Sequence, residues 1–131
     1  MAAVESYPDD LKYHEEHDWA RIDGDEAVLG ITWFAADALG ELVHYEAPEV
    51  GATVKKDASY GEVESVKAVS DLIAPLSGEV LEVNQKVIDA PETVNEDPYG
   101  DGWLVRIRMS DPSEADSLLD IDGYKQVMAQ Q

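Results

Sequence analysis

The alternation of apolar and polar residues predicts a chain built mainly of short β-strands. The stretch "DWARIDGDEAVLGIT" has half-apolar runs on either side of Asp23-Gly24, a dipeptide that favours the two-residue turn of a β-hairpin. Further strand-like runs are "ELVHYEA", "SYGEVESV", "VSDLIA" and "GEVLEVN". In "ELVHYEA" a period of two separates two faces, Leu42, His44 and Glu46 on one and Val43, Tyr45 and Ala47 on the other. In "WLVRIRM" the same period of two predicts a half-buried strand with one face made of Trp103, Val105, Ile107 and Met109.

Helical signals are short and lie between or after these strands. Thr32 is placed to cap a helix over "WFAADAL", which Gly40 then ends. Asp111-Pro112 predicts a helix that continues through "SEADSLL", and a last helix, "YKQVMAQ", is predicted to begin at Gly123. The stretch "PETVNEDPYGDG" is rich in Pro and Gly and is predicted to be a loop. A chain of 131 residues is expected to form one domain, here a small antiparallel barrel or sandwich with helical appendages.

The charge of the chain is strongly negative, −20 at pH 7 from 29 acidic and 9 basic residues. Such a surface repels phosphate groups, so we expect neither nucleic acid nor an anionic membrane as a partner. Two explanations of the acidity stay open. It suits solubility in high salt, which screens self-repulsion, and it suits docking onto basic faces of partner proteins.

Targeting segments and cysteine chemistry are not predicted. The sequence has no run of about 18 apolar residues that could span a membrane. The start, "MAAVESYPDD", resembles neither a secretory signal nor a transit peptide, so we expect a cytoplasmic protein. The chain has no cysteine, so any sulfur redox chemistry would have to come from a cofactor.

Catalytic and metal-binding patterns are not found either. In "HEEHD" the two histidines, His14 and His17, are three residues apart, whereas the zinc-binding H-E-x-x-H pattern has them four apart on a helix. We interpret both as surface histidines beside carboxylates, and His44 as a packing or surface residue of a strand. The sequence has no Gly-rich phosphate loop and no G-x-S-x-G motif. We expect neither a metal site nor an enzyme acting by itself.

One lysine stands out against this background. Lys67 lies between two predicted strands, in "GEVESVKAVSDLIAPLSGEV", where the chain must turn. Turns usually favour polar residues and glycine, and a lysine there is most often only a solvated side chain. Here its neighbours are the apolar Val66, Ala68 and Val69. Such a tip presents one primary amine on an apolar platform, which a modifying enzyme could recognise, and lysine is a target for acylation.

The segment "ESVKA" followed by "SD" and "APLSGEVLEVN" resembles the lipoyl-lysine segment of the glycine cleavage system H protein family. Three more segments are similar to that family. "HDWARI" resembles its "HEWV" start, "LGITWFAADALGELVHYEAPEVG" its "VGIT…LG…LPEVG" region, and "PETVNEDPYGDGWLVRIR" its "PELVN-x-DPYGEGW" region. The similarity covers roughly residues 11 to 127, and the combination of motifs is specific although each one alone is weak.

The resemblance implies a mainly β fold, a barrel-sandwich hybrid of the lipoyl/biotinyl-carrier type with short peripheral and C-terminal helices. It implies one domain over residues 1–131, with a lipoyl-binding core at about 26–108 and a C-terminal helical segment at about 112–131. Lipoate would be attached covalently to Lys67. The arm would move an aminomethyl group from a PLP-dependent glycine decarboxylase to a tetrahydrofolate-dependent aminomethyltransferase, and dihydrolipoamide dehydrogenase would reoxidise it. A lipoate-attaching enzyme would be a further partner, and the protein itself a non-catalytic monomer.

The resemblance also implies two groups of accessory residues. Recognition by the attaching enzyme would involve the residues around the lysine, namely Glu64, Ser65, Val66, Ala68 and Asp71. The "HEW" region of the family helps to shelter the loaded arm in a surface cleft, and its matching positions here are Glu16, His17 and Asp18. Because Asp18 is one methylene shorter than the Glu of that pattern, we expect its contact to need a backbone shift or a bridging water. Ala47 replaces a leucine of the family pattern.

Four other interpretations compete with this one. A biotin carrier usually has methionines beside its lysine, and the lipoyl domain of a 2-oxoacid dehydrogenase usually has "DKA", whereas this chain has "VKA". A relay protein of the same family, which donates lipoyl groups to other complexes, cannot be separated by sequence. An unmodified interaction domain would leave Lys67 dispensable.

Overall fold

The computed structural model describes residues 3–131, which form nine strands, four α-helices and one 3-10 helix. The strands are β1 (Lys12–Tyr13), β2 (Asp18–Asp23), β3 (Glu26–Ile31), β4 (Leu42–Glu46), β5 (Thr53–Val54), β6 (Ser59–Ser65), β7 (Val69–Ile73), β8 (Gly78–Val83) and β9 (Val105–Met109). The helices are α1 (Trp33–Leu39), α2 (Gln85–Asp89), α3 (Thr93–Glu96) and α4 (Ile121–Ala129), and the 3-10 helix is Pro112–Ser117. None of the helices in this part of the chain is long and apolar enough to cross a membrane.

The strands form two antiparallel sheets that face each other. One sheet has six strands in the order β1-β2-β3-β9-β8-β5, and the other has three in the order β4-β6-β7. Their inner faces are apolar and share one core, to which the large sheet contributes Leu29 and Ile107 and the small sheet Val63 and Leu72. Alternate residues of these strands are buried, as the period of two requires. This is the mainly β barrel-sandwich hybrid with short helices that the sequence predicted.

A second apolar cluster holds the C-terminal helix against the large sheet. It contains Leu11, Tyr13, Trp19 and Tyr124, all at most 2% exposed. The rings of Tyr13 and Tyr124 stack with their centroids 4.6 Å apart. This stacking fixes α4 beside β1 and directs the Tyr124 hydroxyl toward the start of α1, where it contacts Thr32.

The predicted hairpin and the helix that follows it are confirmed. Strand β2 pairs with β3, but the pair Asp23–Glu26 closes the ladder, so the turn consists of Gly24 and Asp25. Gly24 has φ +65°, the left-handed conformation that this turn requires. Thr32 caps α1 by accepting from the Ala35 N–H, as predicted.

The predicted faces of two strands are wrong at their ends. A register shift between Leu42 and His44 interrupts the pairing of β4 with β6, so that Leu42 is buried and His44 exposed although the period of two puts them on one face. In "WLVRIRM" the ladder begins only at Val105. Leu104 is therefore fully buried, although a strict period of two would put it on the same face as Arg106 and Arg108.

Several helix predictions are wrong in the existence, type or first residue of the helix. The stretch predicted as a loop contains α3, and α2 was not predicted. The segment after Asp111 is a 3-10 helix that ends at Ser117, because Leu119 exchanges backbone hydrogen bonds with Tyr13 and is extended there. The last helix begins at Ile121, not at Gly123, because the Asp120 side chain accepts from the Gly123 N–H and caps it.

Candidate functional site at the β6–β7 hairpin tip

Lys67 lies at the exposed tip of the hairpin formed by β6 and β7, as predicted. Glu64–Val69 is the last pair of the ladder, and the Ser65 N–H donates to the Ala68 carbonyl at 2.8 Å to close the turn. The Ser65 hydroxyl oxygen also accepts from the backbone N–H groups of Lys67 (3.3 Å) and Ala68 (3.2 Å). A serine side chain thus supplies the turn geometry that a glycine would otherwise provide. Ser65 itself is only 4% exposed, so it shapes the tip and is not presented by it.

The tip carries an exposed apolar platform. Val66 is 87% exposed and Val69 60%, and Val43 of the neighbouring β4 is 48% exposed. Val66 and Val69 flank Lys67 in the same turn, so apolar area is exposed directly beside the amine, as is common at interaction sites. The platform agrees with the apolar neighbours of Lys67 in the sequence.

The side chain of Lys67 rests against the C-terminus of α1. Its Cε lies 3.5 Å and its Nζ 3.9 Å from the position that a Cβ of Gly40 would occupy. Gly40 caps α1 with φ +82° and ψ −168°, a conformation open almost only to glycine. A side chain at this position would be strained by the backbone conformation, although its Cβ would make only an ordinary van der Waals contact with the lysine.

The outer face of the small sheet is acidic. Glu46, Glu62 and Asp71 lie directly opposite one another on β4, β6 and β7, and all three are exposed. In the next row Glu64 lies between His44 and Val69. Like charges directly opposite each other destabilise a sheet, so this row lowers stability while giving the surface around the lysine a strong negative potential.

Glu16, His17 and Asp18 end up in three different environments. Glu16 is exposed, His17 is half-buried, and Asp18 is only 2% exposed. The Oδ1 atom of Asp18 and the hydroxyl of Tyr60 are the two buried side-chain polar atoms without a hydrogen-bond partner in the described part of the chain. Burial, and then the charge of Glu16, raise the pKa of Asp18 well above its ordinary value, although the Ile73 N–H opposes this shift.

His17 is tied to two helices. Its Nδ1 lies 2.8 Å from the Tyr124 hydroxyl, and its ring stacks on Phe34 of α1 with centroids 4.5 Å apart. The same Tyr124 hydroxyl lies 2.7 Å from the hydroxyl oxygen of Thr32, the residue that caps α1. His17 has φ +73°, and burial lowers the pKa of its imidazole. These contacts join α4, the start of α1 and the turn before β2 into one unit.

The prediction that His14 is a surface histidine is wrong. His14 is 7% exposed, its Nδ1 accepts from the Glu16 N–H at 3.0 Å, and its Nε2 therefore donates to Asp57 Oδ1 at 2.7 Å. Asp57 follows strand β5, and its N–H donates to the Ala74 carbonyl at the base of the β6–β7 hairpin. The hydrogen bond from the His14 side chain lowers the pKa of the Asp57 carboxyl. No group of three or more His, Asp or Glu side chains within residues 3–131 is arranged to hold a metal ion.

The description "Glycine cleavage H-protein" belongs to the family model that matches residues 11–131 of this chain. The chain belongs to that family. The glycine cleavage system H protein of Symbiobacterium thermophilum is 52% identical over 117 residues, covering 89% of this chain and 91% of that protein. The H protein of Anaeromyxobacter sp. is 52% identical over 124 residues, covering 95% and 97%. A solved H protein from Mycobacterium marinum has a TM-score of 0.85 at 42% identity and covers 94% of this chain and 99% of its own.

The structure adds residues to the candidate site that the sequence did not indicate. Gly40 was assigned only to ending a helix, and Tyr60 and Tyr124 were not assigned to the site at all. Gly40 is 27 positions from Lys67, and Tyr124 is 107 positions from His17, so only the tertiary fold brings these residues together.

Proposed function

We propose that this chain is the lipoyl-carrying H protein of the glycine cleavage system and that lipoate is attached through an amide to Lys67. The observation that carries the proposal is the presentation of one exposed primary amine at a hairpin tip, on a platform of exposed valines. In this function the chain receives an aminomethyl unit from glycine decarboxylase, passes it to the tetrahydrofolate-dependent aminomethyltransferase and is reoxidised by dihydrolipoamide dehydrogenase. The chain catalyses none of these steps itself.

The residues at the tip fit a covalent lipoyl group. Acylation removes the lysine charge, so the valine platform then surrounds a neutral amide instead of a cation. The lipoyl group supplies a disulfide that carries two electrons, a chemistry that the cysteine-free chain lacks. The hairpin holds the attachment point, and the flexible arm raises the local concentration of the group at each partner site.

The accessory residues have separate roles in this proposal. Ser65 sets the shape of the tip, while Val66 and Ala68 form the apolar contact for the lipoate-attaching enzyme and Glu64 and Asp71 the charged one. The acidic face of the small sheet directs association with basic faces of the partner enzymes, and such steering weakens as salt rises.

The sheltering of the loaded arm involves the "HDW" segment in this proposal. An aminomethyl group is a cation at neutral pH, and the unpartnered Asp18 Oδ1 is an acceptor for it. Asp18 lies close to the Ile73 N–H at the base of the hairpin, four residues along β7 from Val69, which is about 13 Å of strand. Glu16 and His17 directly precede Asp18 in the chain and belong to the same proposed shelter. We also propose that residues 1–131 act as one domain, with the lipoyl-binding core at about 26–108 and the helical segment at about 112–131 outside it.

Intact mass after co-expression with a lipoate-attaching enzyme and lipoate tests the attachment. We expect one lipoyl increment on the wild type and none on Lys67→Arg. Lys55→Arg, which changes an exposed lysine elsewhere, is the matched control and should keep the increment. An increment that remains on Lys67→Arg would refute Lys67 as the site.

Reconstitution with the three partner enzymes tests the carrier role. Lipoylated wild type should support release of labelled carbon dioxide from glycine, and unmodified protein or Lys67→Arg should not. A lipoylated chain that fails in this reconstitution but transfers its lipoyl group to other complexes would replace the proposed function with that of a relay protein.

A further inference from the structure

The hydroxyl of Tyr124 lies between two other polar side chains in the interior of the protein. Its oxygen is 2.7 Å from the hydroxyl oxygen of Thr32 and 2.8 Å from Nδ1 of His17. Tyr124 and Thr32 are both 0% exposed, so neither hydroxyl can find a partner in bulk water. Because buried polar groups are costly when unpaired, each hydroxyl hydrogen is expected to be bonded within this group of three side chains.

The partners of Thr32 fix the direction of these hydrogen bonds. Within residues 3–131 its hydroxyl has two partners, the Tyr124 hydroxyl and the Ala35 N–H, and the N–H is itself a donor. The hydrogen of the Thr32 hydroxyl can therefore go only to the Tyr124 oxygen. Tyr124 then donates its own hydrogen to His17 Nδ1, because the opposite direction would leave the buried Thr32 hydrogen without an acceptor.

This direction assigns the hydrogen of the His17 ring. Burial lowers the pKa of the imidazole, so at neutral pH the ring is neutral and has one N–H. Since Nδ1 accepts from Tyr124, that hydrogen lies on Nε2. Moving it to Nδ1 would require both hydroxyl groups to reverse, and the Thr32 hydrogen would lose its acceptor.

His17 needs this support because its backbone is strained. Its φ of +73° lies in the left-handed region, which residues other than glycine rarely adopt. Such strain persists only where the surrounding structure holds the residue in place. Besides the bond to Tyr124, the ring stacks on Phe34 with centroids 4.5 Å apart, and the His17 carbonyl accepts from the Thr32 N–H at 3.0 Å.

The strained turn leads directly to the buried carboxyl group of Asp18. The His17 N–H donates to the His14 carbonyl at 2.9 Å, and the His14 N–H donates to the Asp18 carbonyl at 2.8 Å. The backbone of Asp18 therefore belongs to the same closed turn as the ring that Tyr124 holds. Through one hydroxyl group, helix α4 reaches a turn of the candidate site.

We propose that Tyr124 is a positioning residue of this site, through hydrogen bonds that run from Thr32 by way of Tyr124 to His17. They fix the His17 ring with its hydrogen on Nε2 and hold the turn that places Asp18. The arrangement of these hydrogen bonds does not depend on lipoate. Its effect on the loaded arm rests on the proposed function, because it requires an aminomethyl group on lipoylated Lys67.

Nitrogen NMR of the unmodified protein tests the direction of the hydrogen bonds. The chain has three histidines, and with isotope-labelled histidine the resonances that disappear in His17→Asn are those of the His17 ring. At pH 8 we expect Nε2 to carry the hydrogen and Nδ1 to have the chemical shift of an acceptor. In Tyr124→Phe the donor to Nδ1 is lost, and the difference between the two nitrogen shifts should shrink as both tautomers become populated.

Two sets of variants separate positioning from general loss of structure. Tyr13→Phe is the matched control, because its ring stacks on that of Tyr124 while its hydroxyl donates to the Pro8 carbonyl, and it should leave the His17 shifts unchanged. His17→Asn keeps an acceptor for Tyr124, and asparagine tolerates a positive φ. His17→Ala has neither property.

The lifetime of the aminomethyl group on the lipoylated protein tests the positioning role. Hydrolysis by one water molecule breaks the bond between sulfur and carbon and yields the dihydrolipoyl thiol, formaldehyde and ammonium, so a formaldehyde assay measures the loss. We expect several-fold faster loss from Tyr124→Phe and His17→Ala than from the wild type. Tyr13→Phe should keep the wild-type rate, and His17→Asn should stay close to it.

The outcomes separate this inference from the proposed function. If the His17 hydrogen lies on Nδ1, or if Tyr124→Phe leaves the nitrogen shifts unchanged, the assigned direction is overturned. If fully lipoylated Tyr124→Phe loses the aminomethyl group at the wild-type rate, Tyr124 is not a positioning residue and the carrier function stands. If no lipoyl increment is found on Lys67, the proposed function fails, and NMR of the unmodified protein alone decides whether the hydrogen bonds run as inferred.

Discussion

Asp18 is a carboxyl group that the fold retains at a cost in stability. It is 2% exposed and one of its oxygens has no partner, and burial raises its pKa well above the ordinary value. An unsatisfied buried polar group typically costs about 1–3 kcal/mol. Groups that destabilise a fold and have shifted pKa values are common at functional sites, which supports the role of Asp18 toward the loaded arm.

Replacing Asp18 should therefore raise stability at neutral pH. The unfolded chain releases the Asp18 proton near its ordinary pKa, whereas the folded chain holds it to higher pH, so between these values the unfolded state binds fewer protons and stability falls as pH rises. We expect Asp18→Asn to be more stable than the wild type at pH 7, with a gain that shrinks toward pH 3 at up to about 1.4 kcal/mol per pH unit. Urea unfolding at a series of pH values measures this. Asp23→Asn, an exposed site, is the control, and an equal or lower stability of Asp18→Asn at pH 7 would contradict the prediction.

At the scale of elements, the β6–β7 hairpin depends on one side chain for the shape of its tip. The Ser65 hydroxyl oxygen accepts from two backbone N–H groups, those of Lys67 and Ala68, and it does so from a buried position. Without this acceptor the turn keeps only the bond from the Ser65 N–H to the Ala68 carbonyl. The orientation of the lysine would then vary more than in the wild type.

Ser65→Ala should slow lipoylation more than it lowers stability. Loss of the side-chain bonds is expected to cost about 1 kcal/mol, because water at the tip replaces part of them, while the rate of lipoyl attachment falls several-fold. Time-resolved intact mass with purified attaching enzyme measures the rate. Ser70→Ala removes a hydroxyl that donates only to the adjacent Asp71 carbonyl on the same hairpin and should have little effect. Recovery in Ser65→Thr is expected, and an unchanged rate in Ser65→Ala would rule out this role.

At the scale of the whole molecule, the two sheets carry different charge patterns. The small sheet shows the row of Glu46, Glu62 and Asp71, with no basic residue in that row. All three arginines of the chain lie instead on β2 and β9 of the large sheet, where Arg106, for example, bonds Glu26 at 2.7 Å and Glu82 at 3.2 Å. The acidic row of the small sheet therefore lacks the arginine partners that acids of the large sheet have, which combines self-repulsion with steering toward basic partners.

Added salt should stabilise the protein. Raising ionic strength from 0.01 to 1 M shortens the screening length from about 30 to 3 Å, so repulsion among exposed carboxylates is removed while the core is unaffected. We expect the midpoint of thermal unfolding to rise over this range. The rise should be smaller for the triple variant Glu46→Gln, Glu62→Gln and Asp71→Asn than for a triple change of dispersed acids at Asp9, Asp23 and Asp116. A midpoint independent of salt would mean that the acidity serves docking alone.

The sequence by itself determined the local structure and the candidate lysine. A period of two requires strands, Thr32 and Gly40 fix the two ends of α1 through their own backbone and side-chain chemistry, and apolar neighbours distinguish Lys67 from an ordinary turn lysine. These are interactions among residues close in the chain. The resemblance to a known family likewise depends on short segments of consecutive residues, such as the one around Lys67.

Tertiary structure alone decided which groups are buried and what surrounds the lysine. His14 and Asp18 lie four positions apart in a polar segment. His14 contacts Asp57 and Asp18 contacts the Ile73 backbone, and only such packing against distant segments removes both side chains from water. The register shift in β4 depends on its pairing with β6, and the Gly40 end of α1, against which Lys67 rests, is held by hydrogen bonds from Asn95 of α3. Such features depend on contacts between distant segments, whose geometry no local pattern specifies.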